Sequence, residues 1–379
     1  MSLSGGTSLL VGTRKGLFTF DRSVGGWEIT DVSFLGEPVT AAVVGHDGSE
    51  YAALGTGHFG SHIWRRPPSG TWSEVGAPAY PPRPADALDV SPMTQEPWPW
   101  TVQLLWTLEA GPVERPDELW CGTIPGGLFR SHDRGDSWEL IRSLWDMPER
   151  TQWFGGGYDF PGIHTISFDP RSPDTVLVAI SCGGAWISDD AGATWSATHG
   201  MRNEYMPPGE EYTTIVQDPH RIARCAAHPD IVWNQHHNGV FRSVDGGRNW
   251  TEITERPPAV FGFAVAAHPT NPDVAWFVPA VKDELRVPVD GRLVVSRTRD
   301  GGRSFDVLGD GLPDVHAYDL IYRHALDVDE TGEVLAMGST TGSLWISEDA
   351  GDRWSTVAPN LPPIHCTRFA PSRLLAGTR

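Results

Sequence analysis

Histidine is the residue type whose placement in this chain most directly suggests chemistry. Five β-rich segments align on the Asp-Pro-like turns that follow them, and the alignment puts His164, His324 and His365 at one shared position. Ala223 and Phe263 occupy that position in the other two segments. Neutral imidazole is the commonest transition-metal ligand, and its titration near neutral pH also suits general acid or base catalysis. The position therefore predicts either a divalent metal ion held by these three residues or proton transfer. The alternative is that the imidazoles hydrogen-bond only to water and to one another.

Other polar residues are predicted to share a face with these histidines, because they occupy loops and strand ends of the same kind. The candidates for catalysis are His164, His220, His237, His365, Asp159 and Glu204. The candidates for holding a substrate are Arg14, Lys15, His58, Tyr158, Tyr205, His316 and Arg286. A glycosidase needs two carboxylates about 5 to 9.5 Å apart, and the carboxylates available for that role are Asp159, Glu204, Asp218 and Asp283.

A repeated octapeptide indicates which elements position these side chains. The pattern Ser/Thr-x-Asp-x-Gly-x-x-aromatic occurs five times, with its aspartates at Asp133, Asp190, Asp245, Asp300 and Asp349. Glycine supplies the positive φ of a tight turn, while Asp and Ser side chains accept local backbone hydrogen bonds. The 379 residues divide into seven units of about 54 residues, each built of short β-rich runs. The repeat predicts an all-β, seven-bladed β-propeller.

The octapeptides resemble the Asp-box, or BNR repeat, of the sialidase- and sortilin-like propellers, as found in bacterial glycosyl-hydrolase-like proteins. This resemblance implies a structural role for the five aspartates, in turns between the third and fourth strands on the face away from the ligand site. It does not extend to the sialidase mechanism, because the chain contains no Arg-Ile-Pro motif. True sialidase activity is therefore not expected.

The repeat also predicts how the ring closes. Segment 364–371 resembles the innermost-strand segment 163–170 but follows the last Asp turn, so we expect it to complete blade 1. A single domain is predicted over 1–379, with blades at 8–30 plus 363–371, 37–77, 100–142, 160–198, 218–254, 260–308 and 315–358. The tail 374–379 nearly repeats 9–14, and the repeat predicts no position for it.

Composition excludes several classes of partner. The chain has 29 Lys and Arg against 48 Asp and Glu, a net charge of -19, which disfavours nucleic acid and anionic lipid. It contains neither a signal-peptide pattern nor a run of about 18 apolar residues, so we expect a cytoplasmic protein without membrane contact. Its four cysteines occur singly and are expected to be free thiols.

These observations favour a hydrolase or lyase acting on a small polar, sugar-like or anionic substrate at the axial His/Arg face. The alternative is a non-enzymatic binding or assembly propeller, as in the sortilin-type relatives and the photosystem-assembly factors. Long connections at 76–100, 143–162 and 199–219 are expected to crown the same face. An enzyme predicts an enclosed pocket, whereas a scaffold predicts exposed aromatic residues such as Trp98, Trp100 and Trp153. The sequence leaves the substrate, the metal and the oligomeric state open.

Overall fold

The computed structural model describes residues 8–87 and 89–371, and within these ranges the predicted seven-bladed β-propeller is confirmed. The chain forms seven four-stranded antiparallel sheets arranged as blades around one axis. Inner strands are buried along most of their length, because both of their faces are covered by neighbouring blades.

The strands follow one another from the axis outward in each blade. Blade 1 consists of β28 (Ile364–Phe369), β1 (Ser8–Thr13), β2 (Gly16–Ser23) and β3 (Gly26–Ser33). Blade 2 consists of β4 (Val39–Val44), β5 (Glu50–Gly55), β6 (Ser61–Arg66) and β7 (Ser73–Val75), and blade 3 of β8 (Leu104–Ala110), β9 (Leu119–Ile124), β10 (Leu128–Ser131) and β11 (Glu139–Leu140). Blade 4 consists of β12 (Ile163–Asp169), β13 (Ser172–Ile180), β14 (Gly184–Ser188) and β15 (Ser196–Ala197), and blade 5 of β16 (Pro219–Arg224), β17 (Val232–His236), β18 (Gly239–Ser243) and β19 (Thr251–Ile253). Blade 6 consists of β20 (Gly262–Ala267), β21 (Ala275–Pro279), β22 (Val295–Thr298) and β23 (Asp306–Leu308), and blade 7 of β24 (Leu326–Val328), β25 (Leu335–Gly338), β26 (Leu344–Ser347) and β27 (Ser355–Ala358).

Helical structure is limited to short segments in the connections. These are α1 (Arg142–Trp145) and the 3₁₀ turns Gly57–Phe59, Pro148–Gln152, Thr214–Val216 and Val289–Gly291. No helix in the described part of the chain has the length and apolarity needed to cross a membrane. All four cysteines are free, as the sequence predicts, and all four are buried.

The ring closes through blade 1, as predicted. Strand β28 pairs antiparallel with β1, with Leu10 opposite Arg368 and Gly12 opposite Cys366. A Cβ atom at Gly12 would lie 2.6 Å from the Cys366 Sγ atom, so the close approach of the two strands requires glycine there. The tail 374–379 lies outside the described residues.

The Asp-boxes form the turns between third and fourth strands. In blade 3 the Asp133 carboxylate accepts hydrogen bonds from the Ser131 hydroxyl (2.8 Å) and from the Ser137 backbone N–H (2.8 Å) and hydroxyl (2.6 Å). The same bonds recur around Asp190, Asp245 and Asp300. These carboxylates are thus occupied by their own turns.

A β-bulge interrupts the pairing near the start of the innermost strand in blades 1 to 6. The register shift leaves one or two residues without a partner on the second strand, and a bulge of this kind redirects a side chain. The bulged residues are His365, Thr40, Trp106, His164, His220 and the pair Phe263–Ala264, in blades 1 to 6 respectively. Because strands alternate in direction, this end of the inner strands lies on the face opposite the Asp-boxes.

The long connections 76–100 and 143–162 pack together beside blades 3 and 4. Trp98, Trp145 and Trp153 are almost fully buried in one cluster, and the Arg150 guanidinium stacks 4.0 Å from the Trp145 ring centre. The Asp89 carboxylate lies 3.0 Å from Arg150 Nη2, with both side chains 6% exposed. These contacts attach the proline-rich connection to the propeller.

Candidate functional site

A cavity of about 260 Å³ opens on the axis at the face that carries the bulges. Five of the bulged residues contribute to its wall, together with residues of the connection before blade 4 and of the segment before β24. The wall consists of Thr40, Leu104, Trp106, Gly156, Gly157, Tyr158, His220, Phe263, Arg286, Tyr322, Arg323, His324 and His365. No Asp or Glu side chain is among these residues, which all belong to the described part of the chain.

The bulged polar residues of blades 1, 2, 4 and 5 also connect each of these blades to the next one. The His365 Nδ1–H donates to the Val39 carbonyl (3.0 Å), and the Thr40 hydroxyl donates to the Leu105 carbonyl (2.8 Å). Likewise the His164 Nε2–H donates to Pro219 (2.8 Å) and the His220 Nδ1–H to Gly262 (2.7 Å). Each acceptor is the residue before the bulge of the following blade. One nitrogen of each of these imidazoles is therefore structural.

For His365 and His324 the second nitrogen has no hydrogen-bond partner among residues 8–87 and 89–371. His324 donates its Nε2–H to the His164 carbonyl (2.6 Å), which leaves Nδ1 as the lone-pair nitrogen. His365 uses Nδ1, which leaves Nε2. Burial lowers the pKa of both residues, so both are neutral near pH 7 and able to accept a proton.

Arg323 supplies the principal positive charge of the cavity. Its guanidinium lies 4.9 Å from the Trp106 ring centre and 5.1 Å from that of Phe263. Within the described residues no carboxylate lies within 4.0 Å of it, and its buried Nε has no hydrogen-bond partner. Burial lowers the pKa of Arg323. A guanidinium in this environment has the chemistry to bind an anion.

A second group of polar side chains adjoins the cavity beside blade 5. Asp218 Oδ2 lies 3.4 Å from His220 Nε2 and 3.2 Å from His237 Nδ1, and those two nitrogens are 3.3 Å apart. The other oxygen, Oδ1, accepts a hydrogen bond from the Cys182 backbone N–H (3.1 Å). This cluster of Asp218, His220 and His237 forms because the pairing of β16 with β17 puts Pro219 opposite His236.

The structure brings some of the predicted site residues to the cavity and leaves others away from it. His220, His365, Tyr158 and Arg286 line the cavity, and Tyr205 contacts His237 with ring centres 5.0 Å apart. Asp159, Glu204, Arg14, Lys15, His58 and His316 are exposed and outside the lining. The Asp159 and Glu204 carboxylates are therefore not positioned as a pair across this cavity.

The predicted metal-binding trio requires correction. Within the described chain, His164, His324 and His365 do not form a group of converging ligand atoms, whereas Asp218, His220 and His237 do. His164 is fully buried, and its second nitrogen accepts a hydrogen bond from the Thr165 hydroxyl (3.0 Å). The alignment of blade 5 is corrected too, because the residue equivalent to His164 is the bulged His220 rather than Ala223.

Arg323, Tyr322 and Trp106 are among the wall residues that sequence reasoning missed. The sequence signal that could have identified Arg323 is its position directly before His324, which the alignment did identify. Trp106 is the bulged residue of blade 3, and a comparison of bulge positions rather than residue types would have included it.

Comparisons with known proteins agree with this fold. A family model described as BNR/Asp-box repeat matches residues 186–197. An oligoxyloglucan-reducing end-specific xyloglucanase of Emericella nidulans is 35% identical over 92 residues, which cover 24% of this chain and 10% of that enzyme. The structure of an ancestral GH74 enzyme matches with a TM-score of 0.55 at 13% identity, over 98% of this chain and 40% of that one. YCF48 from Cyanidioschyzon merolae matches with a TM-score of 0.52 at 14% identity, over 84% of each chain.

Proposed function

Because this chain is a BNR-repeat β-propeller with similarity to sugar hydrolases, we propose that it is a hydrolase or lyase that acts on a small, anionic, sugar-like molecule in the axial cavity. The observation that carries the proposal is the Arg323 guanidinium, which lines the cavity half-buried, with an Nε atom that has no hydrogen-bond partner in the described chain. Asp218 acts on this charge only from beyond ion-pair distance. A buried charge is costly unless a counter-charge compensates it. A substrate carboxylate or phosphate would supply that counter-charge.

The walls of the cavity suit a sugar-like body attached to that anion. Trp106 and Tyr158 meet edge to face at 5.4 Å between ring centres and together form one side. Aromatic faces pack against the C–H surface of a sugar ring, while a few polar groups fix its orientation. Arg286 adds a second cation to the lining, 5.4 Å from the Phe263 ring centre. Asp283 partly neutralises this charge by accepting a 2.9 Å hydrogen bond from Arg286 Nε–H.

Proton transfer is assigned to His365, with His324 as a second candidate. The Val39 carbonyl fixes the His365 tautomer and ring orientation, and the nitrogen that remains is an unprotonated imidazole nitrogen. A mechanism with two carboxylates has less support, because the lining contains none in the part of the chain that the structure describes. Elimination or hydrolysis driven by an imidazole base fits these residues better.

The alternative, a binding or assembly propeller, has less support from the surface. Trp98 and Trp153, which a scaffold would expose, are 1% and 0% exposed and pack inside the loop cluster. Trp100 is half-buried, with its Nε1–H donating to the Asp89 carboxylate. These three tryptophans therefore stabilise the loops beside the cavity and do not form an exposed aromatic patch.

The test compares an anionic sugar with a neutral one. We expect glucuronate to bind and to raise the melting temperature of the wild-type chain, and glucose to have no effect. The Arg323→Gln variant should lose the response to glucuronate, whereas Arg353→Gln, at an exposed arginine outside the lining, should keep it. Equal responses to both sugars, or an undiminished response in Arg323→Gln, would overturn the anion assignment. Turnover of glucuronides, followed by reducing-end and unsaturated-product assays, then separates hydrolysis from elimination, and His365→Ala should abolish either.

A further inference from the structure

We propose that Asp218, His220 and His237 bind a divalent transition-metal ion, with Zn²⁺ the best fit, at the edge of the axial cavity. The ligand atoms would be Asp218 Oδ2, His220 Nε2 and His237 Nδ1. This site is separate from the Arg323 anion site, and the proposal holds whatever molecule the cavity accepts.

The spacing of the three atoms matches the coordination sphere of such an ion. They are 3.2, 3.3 and 3.4 Å apart. Ligands on a tetrahedral ion with bonds of about 2.0–2.1 Å are about 3.3–3.4 Å from one another, as in catalytic zinc sites with two histidines and one carboxylate. Two imidazoles with one carboxylate also form the facial triad of ferrous enzymes, so Fe²⁺ belongs to the same class. Three protein ligands leave at least one position for water or substrate.

The hydrogen bonds around the cluster leave lone pairs facing its centre. The His220 Nδ1–H donates to the Gly262 carbonyl, so Nε2 of the neutral ring carries a lone pair. Asp218 Oδ2 faces that nitrogen at 3.4 Å and carries only lone pairs as well. When both rings are neutral, the sole proton available to the three facing atoms is one on His237 Nδ1. A cation at the centre converts the lone-pair repulsion into coordination.

The surroundings hold the ligands in place. The Gly262 backbone carbonyl accepts a hydrogen bond from His220 Nδ1–H. Metal-bound histidines ordinarily donate their other ring N–H to a carbonyl or carboxylate in this way. The Cys182 N–H orients the Asp218 carboxylate through Oδ1, and the His237 N–H donates to the Asp218 carbonyl (2.9 Å). Gly156 leaves room above the carboxylate, since a Cβ there would lie 3.2 Å from Asp218 Oδ2. Gly156 and His220 both line the cavity, so the site borders the space that a substrate would occupy.

The experiment measures metal binding directly, on the full chain without an affinity tag and after chelator treatment. Calorimetric titration with ZnSO₄ should show one equivalent bound, and CoCl₂ should give the visible absorption bands of a four- or five-coordinate ion. The variants His237→Ala and Asp218→Asn should each weaken binding by more than about 100-fold, because loss of an outer-shell partner alone costs about 10–100-fold. His365→Ala, a cavity histidine outside the cluster, is the matched control and should bind Zn²⁺ as the wild type does.

Melting curves of the metal-free variants check that each has folded. His237 is 13% exposed and outside the hydrophobic clusters, and Asp218→Asn keeps the side-chain volume, so two independent variants test the same site. Failure of the wild type to bind one equivalent would overturn the proposal. Binding that both variants retain, or that His365→Ala abolishes, would overturn it too. Arg323→Gln should not weaken Zn²⁺ binding, because it removes a positive charge that acts on Asp218 and His220. This variant therefore separates a failure here from a failure of the proposed function.

Discussion

The contact between Asp89 and Arg150 gives a quantitative prediction about the loops beside the cavity. Asp89 accepts hydrogen bonds from Arg150 (3.0 Å), Arg83 (3.0 Å) and the Trp100 indole (3.0 Å). Replacing it with Asn removes the charge that compensates a guanidinium with a side chain only 6% exposed. Breaking a buried ion pair on one side costs about 3–5 kcal/mol of unfolding free energy. We therefore expect Asp89→Asn to be among the more damaging substitutions in the loops.

The corresponding change in melting temperature follows from the size of the chain. An unfolding entropy of about 2.1 cal/mol/K per residue gives about 0.8 kcal/mol/K for 379 residues. A loss of 3–5 kcal/mol then lowers the melting temperature by about 4–6 °C. Differential scanning calorimetry measures this shift, and limited proteolysis should show faster cleavage within 76–100. Asp86→Asn, at an exposed aspartate of the same connection, is the control. If the Asp89→Asn protein has the melting temperature and the protease resistance of the wild type, the Asp89–Arg150 ion pair does not hold the 76–100 connection to the propeller, and the reasoning is refuted.

Two further predictions concern the blades themselves. Hydrogen bonds from the Ser304 side chain and backbone lower the pKa of Asp300 to about 2, and the unfolded value is about 3.9. The stability that this carboxylate contributes is thus complete above about pH 4 and is lost as the pH falls towards 2. We therefore expect the melting temperatures of wild type and Asp300→Asn, measured by circular dichroism, to differ most at neutral pH. The difference should shrink between pH 4 and 2, and a difference independent of pH would contradict this reasoning. Gly12→Ala would place a methyl 2.6 Å from Cys366 Sγ, for which we expect a loss of about 1–3 kcal/mol in chemical denaturation. Adding Cys366→Ala should recover part of that loss, and no recovery would show that the strain arises elsewhere.

The fold was predictable from the sequence because local chemistry recurs at each Asp-box. Ser131 and Asp133 hydrogen-bond within eight residues, so their types and order identify the turn without knowledge of the rest of the chain. Ring closure was predictable for a similar reason, since the segment containing His365 resembles the one containing His164. Repeats of this kind identify the blades, but they contain little information about the cavity that the blades surround.

The candidate site was harder to predict because it depends on pairing register and on missing partners. Asp218 and His237 meet only because a bulge at His220 shifts the alignment of β16 and β17. Counting residues back from the following turn therefore selected Ala223 in that blade. Arg323 is distinctive because it forms no ion pair in the described structure and its Nε atom has no hydrogen-bond partner, and a sequence does not show that a partner is missing. His164 shows the converse, since it occupies the bulged position of blade 4 but does not line the cavity, and both of its nitrogens are hydrogen-bonded to protein atoms.

The bulges have a consequence for how such a cavity can change during evolution. Five of the six bulged blades present a side chain to the same space from an equivalent backbone position. A substitution at one of them alters one sector of the cavity while the hairpins behind it stay intact. Polar residues at these positions carry a second constraint, because His365, Thr40 and His220 also tie adjacent blades together. At these positions, replacing one hydrogen-bond donor with another therefore costs less stability than replacing it with an apolar residue. Ligand preference can thus change one blade at a time, within a limited set of hydrogen-bond donors and aromatic residues.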